Sequence, residues 1–143
     1  DAFTRYCLWK NRINFNHGTG HGVGHVLNVH EGPQRIATAG NEYPMEVGMV
    51  TSDEPGIYIS GSHGIRIENI MVCVKDEMTE FGQFLKFDNL TVVPIDTRPV
   101  DKSLLTEEEI VWLNDYNKMC YEKLSPYLSG HDLEYLREQC KEI

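Results

Sequence analysis

Ile65-Arg66-Ile67-Glu68-Asn69-Ile70-Met71-Val72-Cys73-Val74 is the longest strand-like run in the 143-residue chain, and an arginine and a glutamate are set into it. Side chains alternate along a strand, so Arg66 and Glu68 share one face with Ile70, Val72 and Val74. Ile65, Ile67, Met71 and Cys73 take the other face. A strand apolar on both faces is a buried central one, so Glu68 is expected inside. A buried carboxylate has to be paired, protonated or bound to a metal. The plainest partner is Arg66, two residues away on the same face.

Further strand signals lie on either side. Val26–His30, Met49–Ser52 and Gly56–Ile59 precede the run, and Leu90–Ile95 closes the series. The turns between them are Glu31-Gly32-Pro33, Glu54-Pro55-Gly56 and Ser60-Gly61-Ser62. Ahead of this region, Ala2, Phe3, Tyr6, Cys7 and Trp9 fall near helical spacing, with charges at Asp1, Arg5 and Lys10, which predicts the end of an amphipathic helix. After Pro99 the pattern turns helical. Thr106 with Glu109 forms a capping box, and Ile110, Leu113, Tyr116, Cys120 and Leu124 form an apolar stripe running to about Lys123. Pro126 ends that helix, and a shorter one follows from about His131 to Lys141. The sequence therefore divides at about residue 100 into a β-rich body and a helical tail.

Between the first helix and the strands lies His17-Gly-Thr-Gly-His21-Gly-Val-Gly-His25. Each glycine costs a helix about 1 kcal/mol relative to alanine, so the three histidines cannot ride one helical face. The stretch is loop or irregular strand that lets backbone come close to something. It matches neither the dinucleotide fingerprint nor the phosphate loop. A solvated histidine-rich loop and an inward-facing cluster both remain open. Glu54 and Asp53, at the end of an apolar strand, read by themselves as exposed turn acids. Together His21, Glu54 and Glu68 would offer one nitrogen and two carboxylates, a set suited to manganese, cobalt or zinc in a hydrolytic site and unlike a closed cysteine site for structural zinc.

Composition limits the alternatives. With 41% hydrophobic and 24% charged residues the chain is globular, and 13 basic against 22 acidic residues give a charge of -9, which argues against a duplex-binding module. No apolar run approaches the roughly 20 residues of a membrane span, and the first residues lack the pattern of a signal peptide. Cys7, Cys73, Cys120 and Cys140 show no C-x-x-C spacing and read as reduced cytosolic thiols.

Four motifs in order, His17-Gly-Thr-Gly-His21-Gly-Val-Gly, Asn28-Val-His30-Glu-Gly-Pro33, Asp53-Glu-Pro-Gly56 and Gly64-Ile-Arg-Ile-Glu68-Asn, resemble aminopeptidase P, the Xaa-Pro aminopeptidases among the pita-bread metallopeptidases. The tail, with Leu105-Thr106, Trp112-Leu113-Asn114 and Tyr116, resembles the C-terminal extension of the longer, cytosolic-type enzymes. The resemblance implies an α+β fold: the C-terminal half of a pita-bread (creatinase/aminopeptidase-like) domain with a curved antiparallel sheet over residues 1–100, and a helical extension over 101–143. It implies a cytoplasmic hydrolase that releases the N-terminal residue from peptides with proline second, as a homodimer, with two divalent metal ions, manganese first and zinc or cobalt as substitutes. His21 would be the histidine ligand, Glu54 a ligand and general base, and Glu68 the carboxylate bridging both metals. His17 and His30 would handle substrate and charge, and Arg66 would support the site from behind. The glycines would let backbone pass close to metal and substrate. His25, His63 and His131 receive no role.

The family pattern also needs two aspartates eleven residues apart, N-terminal to the histidine motif, and no two aspartates in this chain have that spacing. The chain thus holds three of five expected ligands, reads as a C-terminal fragment, and is expected to be inactive alone. Part of its apolar surface is expected to await a partner. The alternative function is a non-catalytic pita-bread module for binding or dimerisation. Peptides, and neither nucleic acid nor membrane, are the expected partners.

Overall fold

The chain begins with helix α1, Ala2–Lys10. Its inward side is not the apolar one: Phe3, Tyr6 and Trp9 are exposed, and the buried residue is Arg5. Arg5 donates to Asp1 Oδ2 at 2.7 Å, Asn14 Oδ1 at 2.9 Å and the carbonyls of Phe15 at 2.6 Å and His17 at 2.5 Å. Its guanidinium also lies 3.8 Å from the centre of the Phe15 ring. A charge can be buried here because a carboxylate and oriented acceptors replace its water.

Residues 1–26 and 28–143 are described in this computed structural model. They fall into two compact units, Asp1–Thr91 and Val92–Ile143. The first unit holds α1 and seven short strands: β1 Gly20–His21, β2 Arg35–Ile36, β3 Val50–Asp53, β4 Gly56–Ile59, β5 His63–Arg66, β6 Asn69–Thr79 and β7 Gly82–Asn89. They form three antiparallel sheets, β1-β2, β3-β6-β7 and β4-β5.

The run from Ile65 to Val74 is not one buried strand. Asp53 pairs with Asn69 on one side of a gap, and Gly56 pairs with Arg66 on the other. Glu54-Pro55 on one limb and Ile67-Glu68 on the other belong to neither ladder. Pro55 has no N–H to continue the pairing, so a long hairpin breaks into β3–β6 and β4–β5 at that level. Glu68 consequently lies at the break and is exposed, against the sequence reading. Ile65 and Ile67 are about half exposed, at 51% and 48%.

Two other strand readings are also corrected. Leu27 lies outside the described residues, and its neighbours His25 and Val26 form a turn while Asn28–His30 form no strand. Glycine-rich sequence before them and the Glu31-Gly32-Pro33 turn after them leave no length for a ladder. Leu90–Ile95 is not a strand: the Leu90 and Thr91 N–H groups donate to the Ile70 carbonyl of β6, and no ladder continues beyond them among the described residues. Pro94 interrupts the segment, and helix side chains take the place of a neighbouring strand. Asn117 Oδ1 accepts from the Ile95 N–H at 2.9 Å, its Nδ2 donates to the Ile95 carbonyl at 3.1 Å, and the Tyr116 hydroxyl donates to the Val93 carbonyl at 3.0 Å. The strand the sequence did not reveal, β7, pairs with β6 around a turn at Gly82, whose φ of +117° suits glycine. Its Phe84, Leu85 and Phe87 are exposed, so cross-strand pairing rather than burial makes it a strand.

The second unit follows the sequence closely. Helix α2, Glu107–Leu124, opens with both halves of the capping box between Thr106 and Glu109. It buries Leu113, Tyr116, Asn117 and Cys120, and Pro126 sits in the 3-10 turn that ends it. Helix α3 spans Gly130–Gln139 and buries Leu136. All four cysteines are free.

Candidate metal centre

The glycines of the 17–24 segment allow close approach, but to the protein's own backbone. A Cβ on Gly20 would overlap the Ser52 carbonyl oxygen, and one on Gly22 would overlap the Glu31 carbonyl oxygen. This contact lays β1 against β3. The His21 N–H donates to Ser52 Oγ at 3.0 Å, and the Thr51 hydroxyl donates to the His21 carbonyl at 2.9 Å. The His21 backbone is thereby fixed to the strand that delivers Glu54.

His21 Nε2 lies 3.0 Å from Glu54 Oε1, and the Glu54 side chain is only 12% exposed. His21 Nδ1 is 2.9 Å from the Gly22 carbonyl, which can only accept, so that nitrogen carries the proton. In the neutral ring, Nε2 then presents a lone pair to a carboxylate oxygen. Two acceptors held this close need a proton or a cation between them. Two donors bound to one cation at about 2.1 Å each, at right angles, sit about 3 Å apart. The Gly22 carbonyl also supplies the outer partner expected of a metal-binding histidine.

Glu68 completes the cluster. One donor atom each from His21, Glu54 and Glu68 all lie within 4.8 Å of one another. Glu54 and Glu68 face each other because the register stays in step across the gap, from Asp53–Asn69 to Gly56–Arg66, which sets Glu54 opposite Glu68. The donor set fits a hard or borderline divalent cation. Glu68, the outermost, is the donor with the least support around it.

The flanking groups orient Glu54. Ser52 Oγ donates to Glu54 Oε1 at 2.9 Å, and Arg66 Nε stands 3.7 Å from Oε2. Arg66 therefore turns toward Glu54 rather than toward its strand neighbour Glu68. His30 stacks at a tilt on His21, with ring centres 4.2 Å apart. His17 donates from Nδ1 to the Gly18 carbonyl at 2.7 Å, which leaves Nε2 to accept from the Tyr58 hydroxyl at 2.9 Å. A cleft of about 440 Å³ is lined by His17, His21, His30, Arg35, Glu54 and Arg66, with Gly18, Gly20 and Ala37. Asp53 is half-buried within β3 rather than an exposed turn acid, and burial pushes its carboxyl up. His131 is exposed on α3.

Four contributing residues escaped the sequence reading. Ser52 and Arg5 looked like ordinary strand and helix-surface residues. Arg35 lies in a two-residue strand with no pattern to mark it. Tyr58 could have been found, because the Ser60-Gly61-Ser62 turn fixes the register that sets Tyr58 opposite Gly64, and an aromatic over a glycine is a common pairing in sheets.

The profile of metallopeptidase family M24 matches residues 1–75, and that of the C-terminal region of peptidase M24 matches residues 83–143. The chain belongs to metallopeptidase family M24. Among its relatives in that family is a protein of Laccaria bicolor named Probable Xaa-Pro aminopeptidase P, 47% identical over 151 aligned positions covering 100% of this chain and 23% of the relative. Aminopeptidase P2 of Arabidopsis thaliana is 50% identical over 135 positions, covering 91% of this chain and 19% of its own. The M24 chain thus spans about a quarter of the length of the relatives it matches, or less. The crystal structure of the X-prolyl aminopeptidase of Caenorhabditis elegans, described as a cytosolic enzyme with a di-nuclear active site, superposes with a TM-score of 0.91 at 44% identity over 100% of this chain and 24% of that one. The α+β pita-bread architecture expected from the four motifs is therefore the architecture of this M24 chain. No helix among the described residues is long and apolar enough to cross a membrane.

Proposed function

We propose that the complete protein is an Xaa-Pro aminopeptidase with a dinuclear metal centre, to which this chain contributes His21, Glu54 and Glu68. The observation that carries the reading is the convergence of those three donors within 4.8 Å, at a cleft edged by histidines. Divalent metal ions held there supply Lewis acidity and lower the pKa of water.

The side chains of this chain do the rest. Glu54, held by Ser52 and Arg66, is aimed to accept the proton of the attacking water. Arg66 keeps one Glu54 oxygen in place, and Glu68, on the opposite limb of the hairpin, would hold metal together with His21 and Glu54. His17 and His30, on either side of His21, offer ring nitrogens to the substrate's peptide groups. Manganese as the preferred ion, a homodimer, a cytoplasmic location and a boundary near residue 100 between a peptidase part and a helical extension belong to the same proposal. The oxygen-rich donor set supports manganese, the change from strands to helices after β7 supports the boundary, and the description of the Caenorhabditis elegans relative as cytosolic supports the location.

The test is metal removal from the complete protein with a chelator, followed by assay on a peptide with proline second. Cleavage should disappear and return with manganese, with zinc and cobalt added separately for comparison. Undiminished cleavage after metal analysis has shown the protein empty would refute the reading.

A further inference from the structure

Arg35 stands directly opposite His21 in the β1–β2 pair. Residues opposite each other in an antiparallel pair project to the same face, with Cβ atoms about 5 Å apart. The guanidinium therefore emerges on the face that carries the His21 imidazole, and Arg35 lines the same cleft as His17, His30 and Glu54. Its Nη2 donates to the Gly40 carbonyl at 2.9 Å, which tethers the side chain without neutralising it. Among the described residues Arg35 has no carboxylate partner within 4.0 Å, whereas Arg5, Arg66 and Arg98 each have one. One of five N–H donors is used; the others stay available in a planar fork suited to a carboxylate.

We propose that Arg35 is a specificity-determining residue that binds a carboxylate of the peptide within two residues on the C-terminal side of the bond to be cut. The inference rests on the aminopeptidase reading above. On the N-terminal side the one charge every aminopeptidase substrate shares is a cationic amino group, which a guanidinium repels. On the C-terminal side an extended peptide advances about 3.3 Å per residue, so the side chain beside His21 comes alongside the first or second residue past the scissile carbonyl. The carboxylate can be the C-terminus of a short peptide or the side chain of an acidic residue. Arg66 cannot serve, because it is engaged with Glu54.

The experiment uses the complete metal-loaded protein and three peptides: Ala-Pro-Ala as the free acid, Ala-Pro-Ala amide and Ala-Pro-Glu amide. Wild type should cleave all three, with a lower KM for whichever peptides carry the recognised carboxylate. Arg35→Ala should raise KM for those peptides about tenfold, the worth of one charge-assisted contact, with kcat little changed and the Ala-Pro-Ala amide unaffected. Arg35→Lys, which keeps the charge but loses the fork, should restore part of the preference. A loss confined to the free acid identifies the C-terminus as the ligand, and a loss confined to the glutamyl peptide identifies the side chain. An equal change for all three peptides, or none for any, overturns the assignment. Cleavage of the uncharged amide by wild type reports on the aminopeptidase reading separately, so failure of the two is told apart.

Discussion

Replacing Arg5 tests how the histidine segment is anchored. Arg5→Ala removes donors from four acceptors and leaves the Asp1 carboxylate, only 7% exposed, without its counter-ion. The Thr19 hydroxyl still reaches Asp1 Oδ1 at 2.7 Å, so that oxygen keeps a partner while Oδ2 loses the one described here. Removing one member of a buried pair costs about 3–5 kcal/mol, which is a large share of the roughly 5–15 kcal/mol that holds a domain together. With a urea slope of about 2 kcal/mol per molar, the unfolding midpoint should fall by roughly 2 M. Trp9 hydrogen-bonds Asn14, one of the Arg5 partners, so its fluorescence reports on this corner once Trp112 has been replaced by phenylalanine. Arg5→Lys should fall between wild type and alanine, because an ammonium cannot serve the divergent acceptors at once. Asp1→Asn combined with Arg5→Ala should cost less than the sum of the two single changes, since the stranded charge is gone. A loss under about 1 kcal/mol for Arg5→Ala, or strict additivity with Asp1→Asn, would show that the network does not hold the segment.

Gly20→Ala forces a methyl into the Ser52 carbonyl, and should destabilise by about 1–3 kcal/mol while weakening metal uptake in an equilibrium dialysis assay; unchanged values would mean β1 can move off β3 freely. Thr106→Ala removes the cap of α2 and should cost about 1 kcal/mol in thermal or urea unfolding. In the wild-type chain, hydrogen bonds donated by Thr106 hold the Glu109 carboxyl below its usual range. That contribution is complete above the unfolded-state value and is lost as pH falls through the lower folded one, so the start of α2 should fray in acid and not in alkali, as read by amide chemical shifts. Glu68→Ala in the complete protein should abolish peptide cleavage, and wild-type rates would remove Glu68 from the centre. Thiol labelling at neutral pH should modify exposed Cys7 first and Cys120 last, because burial both shields that thiol and pushes its pKa up; the reverse order would contradict the packing of α2.

How much of this was legible in the residues depended on whether each signal was local. The Thr106 cap, the α2 stripe and the Gly56–Ile59 strand rest on neighbours in sequence and came out where expected. His21, Glu54 and Glu68 could be nominated by residue type, and the four ordered motifs gave the family. Alternation alone misplaced Glu68, because a break opposite Pro55 is a property of two paired limbs and not of either limb. It also inverted α1. A polar residue buried by four acceptors from its own end and from the following loop looks, one residue at a time, like a surface arginine. β7 was missed for a related reason: its ladder to β6 stabilises it although its apolar side chains stay exposed, so burial patterning had nothing to detect.

The interruption at Pro55 also bears on how the site forms in time. Neither glutamate meets the other until the hairpin limbs on both sides of the gap have zipped, and His21 joins only after β1 has docked on β3. The donors are thus assembled by non-local pairings, which are slow to form because chain entropy is lost before contacts compensate it. A cation captured there ties three distant points of one polypeptide together and binds only the folded arrangement. If the three donors hold a cation as proposed, metal added during refolding should shorten the time the chain spends with its strand edges uncovered.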